Sequence, residues 1–141
     1  MTLAHIALAI VLSGFVASFT DWLFGGFMFH KQYMTHPEIW RNKPGDKAGE
    51  NRAILWSVIL GFLTCAAFIF TCLVFHIRGY FAPIHLALLI WMIAPVPLLI
   101  TNALFIKMHP LNVLSNAVGW LVKLLLAALA VGWLFHMAPI Q

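Results

Sequence analysis

Charged residues are scarce in this sequence, and their scarcity excludes most soluble classes of protein. Only 9% of the 141 residues are Asp, Glu, Lys or Arg, and 63% are hydrophobic, whereas soluble domains carry about 25% charged residues. This composition predicts an integral membrane protein. The basic residues lie beside long apolar runs and are expected to orient the chain in a bilayer, which argues against nucleic acid as a partner.

Catalytic motifs are also missing. The sequence has no Gly-rich phosphate loop, no HExxH pair and no Gly-x-Ser-x-Gly elbow, which are the short motifs that commonly mark hydrolases and nucleotide-binding enzymes. The sequence therefore gives no support to catalysis. An intramembrane enzyme built from dispersed His, Asn and Asp side chains stays an open alternative.

The only two cysteines, Cys65 and Cys72, lie in one apolar run. Seven residues span about 10 Å along a straight helix, and this separation is too large for a disulfide. The cysteines therefore give no information about the redox compartment.

Four long apolar runs are present, at about 3–29, 53–77, 83–106 and 111–137. Each run exceeds the roughly 20 residues that a helix needs to cross a bilayer. We therefore predict an all-α fold, a single domain of four transmembrane helices in an up-down bundle. The first run has no basic residue before it and no clear cleavage site, so we expect it to be retained as a helix.

The segment 31–52 is the only long polar one, and it holds five of the eight basic residues. Because basic loops stay on the cytoplasmic side, we expect this loop and Lys107 to face the cytoplasm, with both termini on the outer side. The predicted location is the bacterial inner (plasma) membrane, with multiple spans. Within the third run, Pro95 and Pro97 predict a kink, since each removes a helical hydrogen bond.

Two charges interrupt the apolar runs. At about 1.5 Å per residue, Asp21 lies about 15 Å from the cytoplasmic edge and Lys123 about 20 Å, so the two levels nearly match. Each shares its helix face with small residues, which mark close helix contacts in membranes: Gly14, Ala17, Ser18 and Gly25 for Asp21, and Asn116, Gly119, Ala127 and Ala130 for Lys123. We predict an ion pair between antiparallel first and fourth helices.

Two functions of different class fit these charges. In one, Asp21, Lys123, Asn102 and Asn116 form a polar intramembrane site, and the protein is a carrier or ligand-binding protein for a proton, an ion or a small solute. In the other, the same groups only lock the helices together, and the protein is a non-catalytic scaffold or accessory subunit. We expect self-association through the small-residue faces in either case, and the sequence does not identify a small-molecule ligand.

Histidines mark the predicted outer end of all four helices. Nitrogen and sulfur ligands bind zinc, copper or haem, so a metal or haem site is a further alternative, although no cofactor is firmly implied. On straight helices His5 and His136 point away from the two charges, and interfacial placement of all four histidines is the favoured explanation. The candidate ligands are His5, His76, His85, His136 and Cys72.

Three segments carry a resemblance to one family that extends over nearly the whole chain: "LFGGFMFHKQYM", "IWMIAPVPLLITNALF" and "HPLNVLSNAVGWLVKLLLAALAVGWLF". The sequence resembles the small bacterial membrane proteins grouped as domain of unknown function 1761. The resemblance implies four transmembrane helices and no particular activity, and "FTDWLFGG" departs from the family pattern, so Asp21 is expected to be special to this branch. The positions that carry the resemblance best are Thr101, Asn102, Leu104, Phe105, Asn116 and Trp120.

Overall fold

Every secondary-structure element in the described part of the chain is a helix. The computed structural model describes residues 3–23, 46–106 and 108–137. The five helices are α1 (Leu3–Asp21), α2 (Lys47–Val74), α3 (Phe81–Ile93), α4 (Pro95–Phe105) and α5 (Pro110–Met137). Since α3 and α4 form one nearly continuous span, four helical segments are long and apolar enough to cross a membrane.

The first helix and the polar loop are described only in part. Helix α1 ends at Asp21, and Trp22 and Leu23 continue in π-helical geometry, a local widening that is frequent at functional sites. The predicted continuation of this helix to residue 29, and residues 31–45 of the predicted loop, lie outside the described residues.

Helix α2 begins at Lys47, six residues before the predicted start at residue 53. The cause is a cap: the side chain of Asp46 accepts a hydrogen bond from the backbone N–H of Gly49 at 3.1 Å. Glu50 in the first turn adds a favourable interaction with the positive end of the helix dipole. Part of the charged loop is therefore the first turn of a spanning helix.

The C-terminal end of α2 is closed by a left-handed residue. His76 has φ of +53°, and the backbone N–H of Ile77 donates to the carbonyl of Cys72 at 2.8 Å. This bond, five residues back along the chain, is the mark of a Schellman motif, in which glycine is the usual residue at the left-handed position. The turn through Gly79, at φ of +75°, then leads into α3.

The third span breaks at Ala94, one residue before Pro95. Ala94 ends α3 and opens α4, with φ of −114° and ψ of −70°. Close to this break, the indole N–H of Trp91 donates to the backbone carbonyl of Ala117 in α5 at 2.7 Å. The expected kink is therefore present, and a neighbouring helix is hydrogen-bonded to the span beside it.

Helix α5 is the centre of the bundle and contacts all four other helices. The order of contacts along α1 and α2 shows that they are antiparallel, because Ser13 reaches Cys65 and Ser18 lies near Gly61. Helices α3 and α5 are antiparallel too, since Tyr80 lies against Gly132 and Trp91 bonds to Ala117.

Small side chains fill the contacts between helices, and large apolar ones cover the outside. Ala9, Ala17 and Ala128 are at most 1% exposed, whereas Phe15, Phe70 and Phe105 are at least 67% exposed. A water-soluble bundle would bury such rings. The distribution therefore fits helices surrounded by lipid.

Candidate functional site: an ion pair beside a cleft

Asp21 and Lys123 form the predicted ion pair between α1 and α5. The Lys123 Nζ lies 2.5 Å from Asp21 Oδ2, so the prediction of this contact is confirmed. The small residues face the bundle interior, since Gly14, Ala17 and Gly119 are buried. Gly119 of α5 lies against Asp21, whereas Gly14 and Ser18 of the predicted α1 face lie against α2. Gly25, at the end of the predicted α1 face, lies outside the described residues.

Gly119 and Trp120, both on α5, lie next to the two charges of the ion pair. A Cβ at Gly119 would lie 3.4 Å from Asp21 Oδ1, so the glycine allows the carboxylate to rest directly on α5. One turn from Gly119, the Lys123 Nζ lies 5.2 Å from the centre of the Trp120 ring, within the range of a cation–π interaction. The ammonium is thus held by a carboxylate and an aromatic face.

Neither charge is completely enclosed. The side chain of Lys123 is 12% exposed and that of Asp21 is 22% exposed. Both groups line a cleft of about 480 Å³ between α1, α2 and α5. A ligand in this cleft would meet the open side of the ion pair.

The rest of the cleft wall is partly polar and partly aromatic. Helix α2 contributes most of one side and α5 the other, while Asp21 is the contribution of α1. Apart from the ion pair, the lining residues are Ala53, Trp56, Ser57, Leu60, Thr64, Ser115, Asn116, Gly119 and Trp120. Three hydroxyls, one amide and two indoles therefore surround the charges.

The structure brings together three of the four predicted polar residues. Asn116 lines the cleft with Asp21 and Lys123, and its Nδ2 donates to the carbonyl of Asn112 at 2.9 Å. Asn102 lies on α4 and is not among the described residues that line the cleft. The predicted polar site is thus centred on α1 and α5.

The sequence did not predict that α2 contributes residues to the cleft. Trp56, Ser57 and Thr64 share one face of α2 and line the cleft. None of them is charged, so the sequence did not mark them as candidates for the site. Thr64 also donates its hydroxyl to the carbonyl of Leu60 at 2.8 Å, a common way for a membrane helix to satisfy a hydroxyl. Residues seven to eight apart lie on the same face of a helix, and this spacing was the signal that could have identified them.

A buried amide lies one turn before the partly buried Asn116. Asn112 is 8% exposed, and its Oδ1 has no hydrogen-bond partner among the described residues. A buried carbonyl without a partner costs roughly 1 to 3 kcal/mol. The start of α5 is therefore a polar stretch of the bundle interior as well.

The structure does not gather the predicted metal ligands. Within residues 3–23, 46–106 and 108–137, no group of three or more His, Cys, Asp or Glu side chains could hold a metal ion. His76 forms the helix stop described above, and His85 Nδ1 is 2.8 Å from the carbonyl of Phe81 in its own helix. Cys72 is completely buried, whereas His136 lines a separate cavity at the end of α5.

Comparison with known proteins finds no relative of this chain. The chain matches no protein-family model, no curated protein and no solved structure.

Proposed function

We propose that this chain is a small multi-pass membrane protein that binds a small-molecule ligand in the cleft beside Asp21 and Lys123, as a carrier or a ligand-binding protein. One observation carries the proposal. The ion pair lies in the wall of an open cleft, and each charged side chain keeps part of its surface exposed there. Ionisable residues inside a membrane are costly and usually serve a site or a pathway.

The lining supports one class of ligand. The cleft volume of about 480 Å³ falls within the roughly 300 to 1,000 Å³ that is usual for small-molecule sites. Trp56 and Trp120 offer flat apolar surfaces, while the ion pair and the hydroxyls offer hydrogen-bonding groups of both kinds. The ligand we propose is a small solute with an apolar body and at least one polar or zwitterionic group.

The placement of the protein is part of the proposal. The loop 31–52 is proposed to be cytoplasmic, both termini to be on the outer side and the membrane to be a bacterial inner membrane, on the distribution of basic residues. Membership of the family grouped as domain of unknown function 1761 is part of the proposal too, on the segments quoted from the sequence. The exposed apolar faces of the helices leave room for a second copy, so a homo-oligomer is also proposed.

Native mass spectrometry of the full chain, released from membranes in a maltoside detergent, tests the proposal. We expect an adduct of defined mass on the wild type that is lost from the double variant Asp21→Asn with Lys123→Met. The matched control is Glu50→Gln with Lys47→Met, which removes one acid and one base at the exposed start of α2. It should keep the adduct.

A wild-type chain without an adduct would overturn the proposal, as would an adduct that the Asp21/Lys123 double variant retains. Once the adduct is identified by fragmentation, uptake of that compound into liposomes separates a carrier from a binding protein. Transport that depends on Asp21 makes the protein a carrier.

A scaffold or accessory subunit is the second candidate. The observation that favours it is the short contact between the charges, because Asp21 and Lys123 neutralise each other without any ligand. A stable partner protein that co-purifies with the chain, together with no adduct and no flux, is the result expected for this function.

A further inference from the structure

A second cavity lies at the opposite end of the bundle from Lys47. It has a volume of about 380 Å³ and is bounded by the turn between α2 and α3 and by the last turns of α5. The ring of Tyr80 lies against Gly132, where a Cβ would come within 2.8 Å of the ring Cγ. The remaining lining residues are Arg78, Gly79, Phe135 and His136.

The cavity is a basic site. The Arg78 guanidinium carbon lies 5.9 Å from the centre of the Phe135 ring, so the ring holds the guanidinium beside the cavity. Among the described residues, no carboxylate forms an ion pair with Arg78. His136 adds a second nitrogen side chain to the wall.

The distribution of acidic residues makes this end more positive still. Asp46 and Glu50 lie at the start of α2, and Asp21 is at the end of α1, where it is paired with Lys123. No Asp or Glu occurs in the sequence between Glu50 and residue 141. In the described part of the chain, no acidic side chain lines the cavity, and repulsion of an anion comes only from the partial negative charge at the C-terminal ends of α2 and α5.

The start of α3 lies next to the cavity, since Tyr80 lines it. Its first turn offers the N–H groups of Phe81 and Ala82, because Pro83 has none. Tyr80 is the N-cap residue of this 13-residue helix, and its side chain makes no capping hydrogen bond. The first backbone N–H groups of a helix have no partner within the helix and carry partial positive charge. Phosphate groups commonly bind where such N–H groups meet a basic side chain.

We infer that the cavity formed by Arg78, Tyr80, Phe135 and His136 binds a phosphate group, from a lipid headgroup or from free phosphate. Arginine suits this ligand because its planar guanidinium donates two parallel hydrogen bonds to phosphate oxygens. The end of a membrane-spanning bundle lies at headgroup level, so a phospholipid can reach the site sideways and free phosphate can reach it from water.

The test uses the full chain in a maltoside detergent, which contains no phosphate, with binding counted by native mass spectrometry. One arm titrates short-chain phosphatidylglycerol and the other titrates inorganic phosphate. Arg78→Gln should weaken binding of the effective probe about tenfold, the effect expected for loss of a charged hydrogen bond. The matched control is Arg52→Gln, which removes the same charge from an exposed position on α2.

Binding of phosphatidylglycerol alone, with dependence on Arg78, identifies the lipid as the source, and binding of both probes identifies the phosphate group itself. Binding of inorganic phosphate alone identifies free phosphate. No saturable binding of either probe would overturn the inference, and so would equal losses in Arg78→Gln and Arg52→Gln. His136→Gln, which removes the imidazole from the cavity wall, should also weaken binding and serves as the second variant if Arg78→Gln does not fold.

This site is separate from the Asp21–Lys123 cleft. The variant Asp21→Asn with Lys123→Met should keep phosphate binding, so failure at one site leaves the other testable.

Discussion

Gly14 of α1 lies against the aromatic ring of Phe62 of α2, so close that a Cβ at residue 14 would come within 2.7 Å of the ring Cε1. No real Cβ contact is that short, so either the ring or the helix must move if residue 14 carries a side chain. The contact fixes how closely α1 and α2 approach, and it thereby sets the position of Asp21 relative to the α2 side of the cleft.

Gly14→Ala should destabilise the protein. Forcing an extra methyl group into a packed contact costs about 1 to 3 kcal/mol, and the helix-propensity gain of about 1 kcal/mol offsets only part of this. Reversible unfolding in mixtures of dodecyl maltoside and dodecyl sulfate measures the change. Gly61→Ala is the control from the same interface, because its Cβ would meet Ser18 Oγ at an ordinary 3.5 Å. Equal losses in the two variants would contradict the prediction.

Removing one partner of the ion pair should lower the free energy of unfolding more than removing both partners. Asp21→Asn leaves the Lys123 ammonium largely buried without its carboxylate, and a lone lysine inside a membrane costs about 2.5 to 3.5 kcal/mol. In the double variant with Lys123→Met, that cost disappears, so we expect it to be more stable than Asp21→Asn alone. A double-mutant cycle on the free energies of unfolding measures the coupling, and additive effects would show that the pair contributes no coupling energy.

One indole hydrogen bond beside the break in the third span should contribute to the stability of the bundle. Trp91→Phe removes the bond to the Ala117 carbonyl and keeps an aromatic ring, so we expect a loss of about 1 kcal/mol of unfolding free energy. Trp56→Phe, at a position that is 57% exposed, provides the control and should change stability little. The same unfolding assay applies, and an unchanged Trp91→Phe variant would mean that the bond does not stabilise the bundle.

His76→Gly should stabilise the protein, although it removes one of the predicted metal ligands. The residue has φ of +53°, a conformation that costs most L-residues roughly 1 kcal/mol and glycine almost nothing. His76→Ala keeps the strain and should show no gain. A thermal melt of the three proteins followed by circular dichroism tests this order, and a less stable glycine variant would point to a role for the imidazole itself.

The sequence predicted the helices and the Asp21–Lys123 contact because both follow from the free-energy cost of placing polar groups in a membrane. Long apolar runs define the spans, and a charge inside such a run must find a partner, so Asp21 and Lys123 could be matched by depth and by their small-residue faces. Pro95 likewise predicted the break at Ala94. These features depend on local chemistry, which a single sequence contains.

The remaining features depend on how helices rotate and where they end. The α2 side of the cleft, with Trp56 and Ser57, follows from the rotation of α2 against α5 and has no charge to reveal it. The start of α2 at Lys47 was hidden because Asp46 and Glu50 looked like loop residues, although the same residues cap and charge a helix start. His76 was interpreted as a possible ligand because a left-handed histidine has no distinct signal in sequence.

The two buried thiols of α2 provide the protein with its own unfolding reporter. Cys65 and Cys72 are both free and 0% exposed, and they are the only cysteines in the chain. A maleimide dye should therefore label the folded protein slowly and the unfolded protein at both positions, with a mass increase that counts the reacted sites. Labelling kinetics would thus time the opening of α2 in a native bilayer, without any engineered probe.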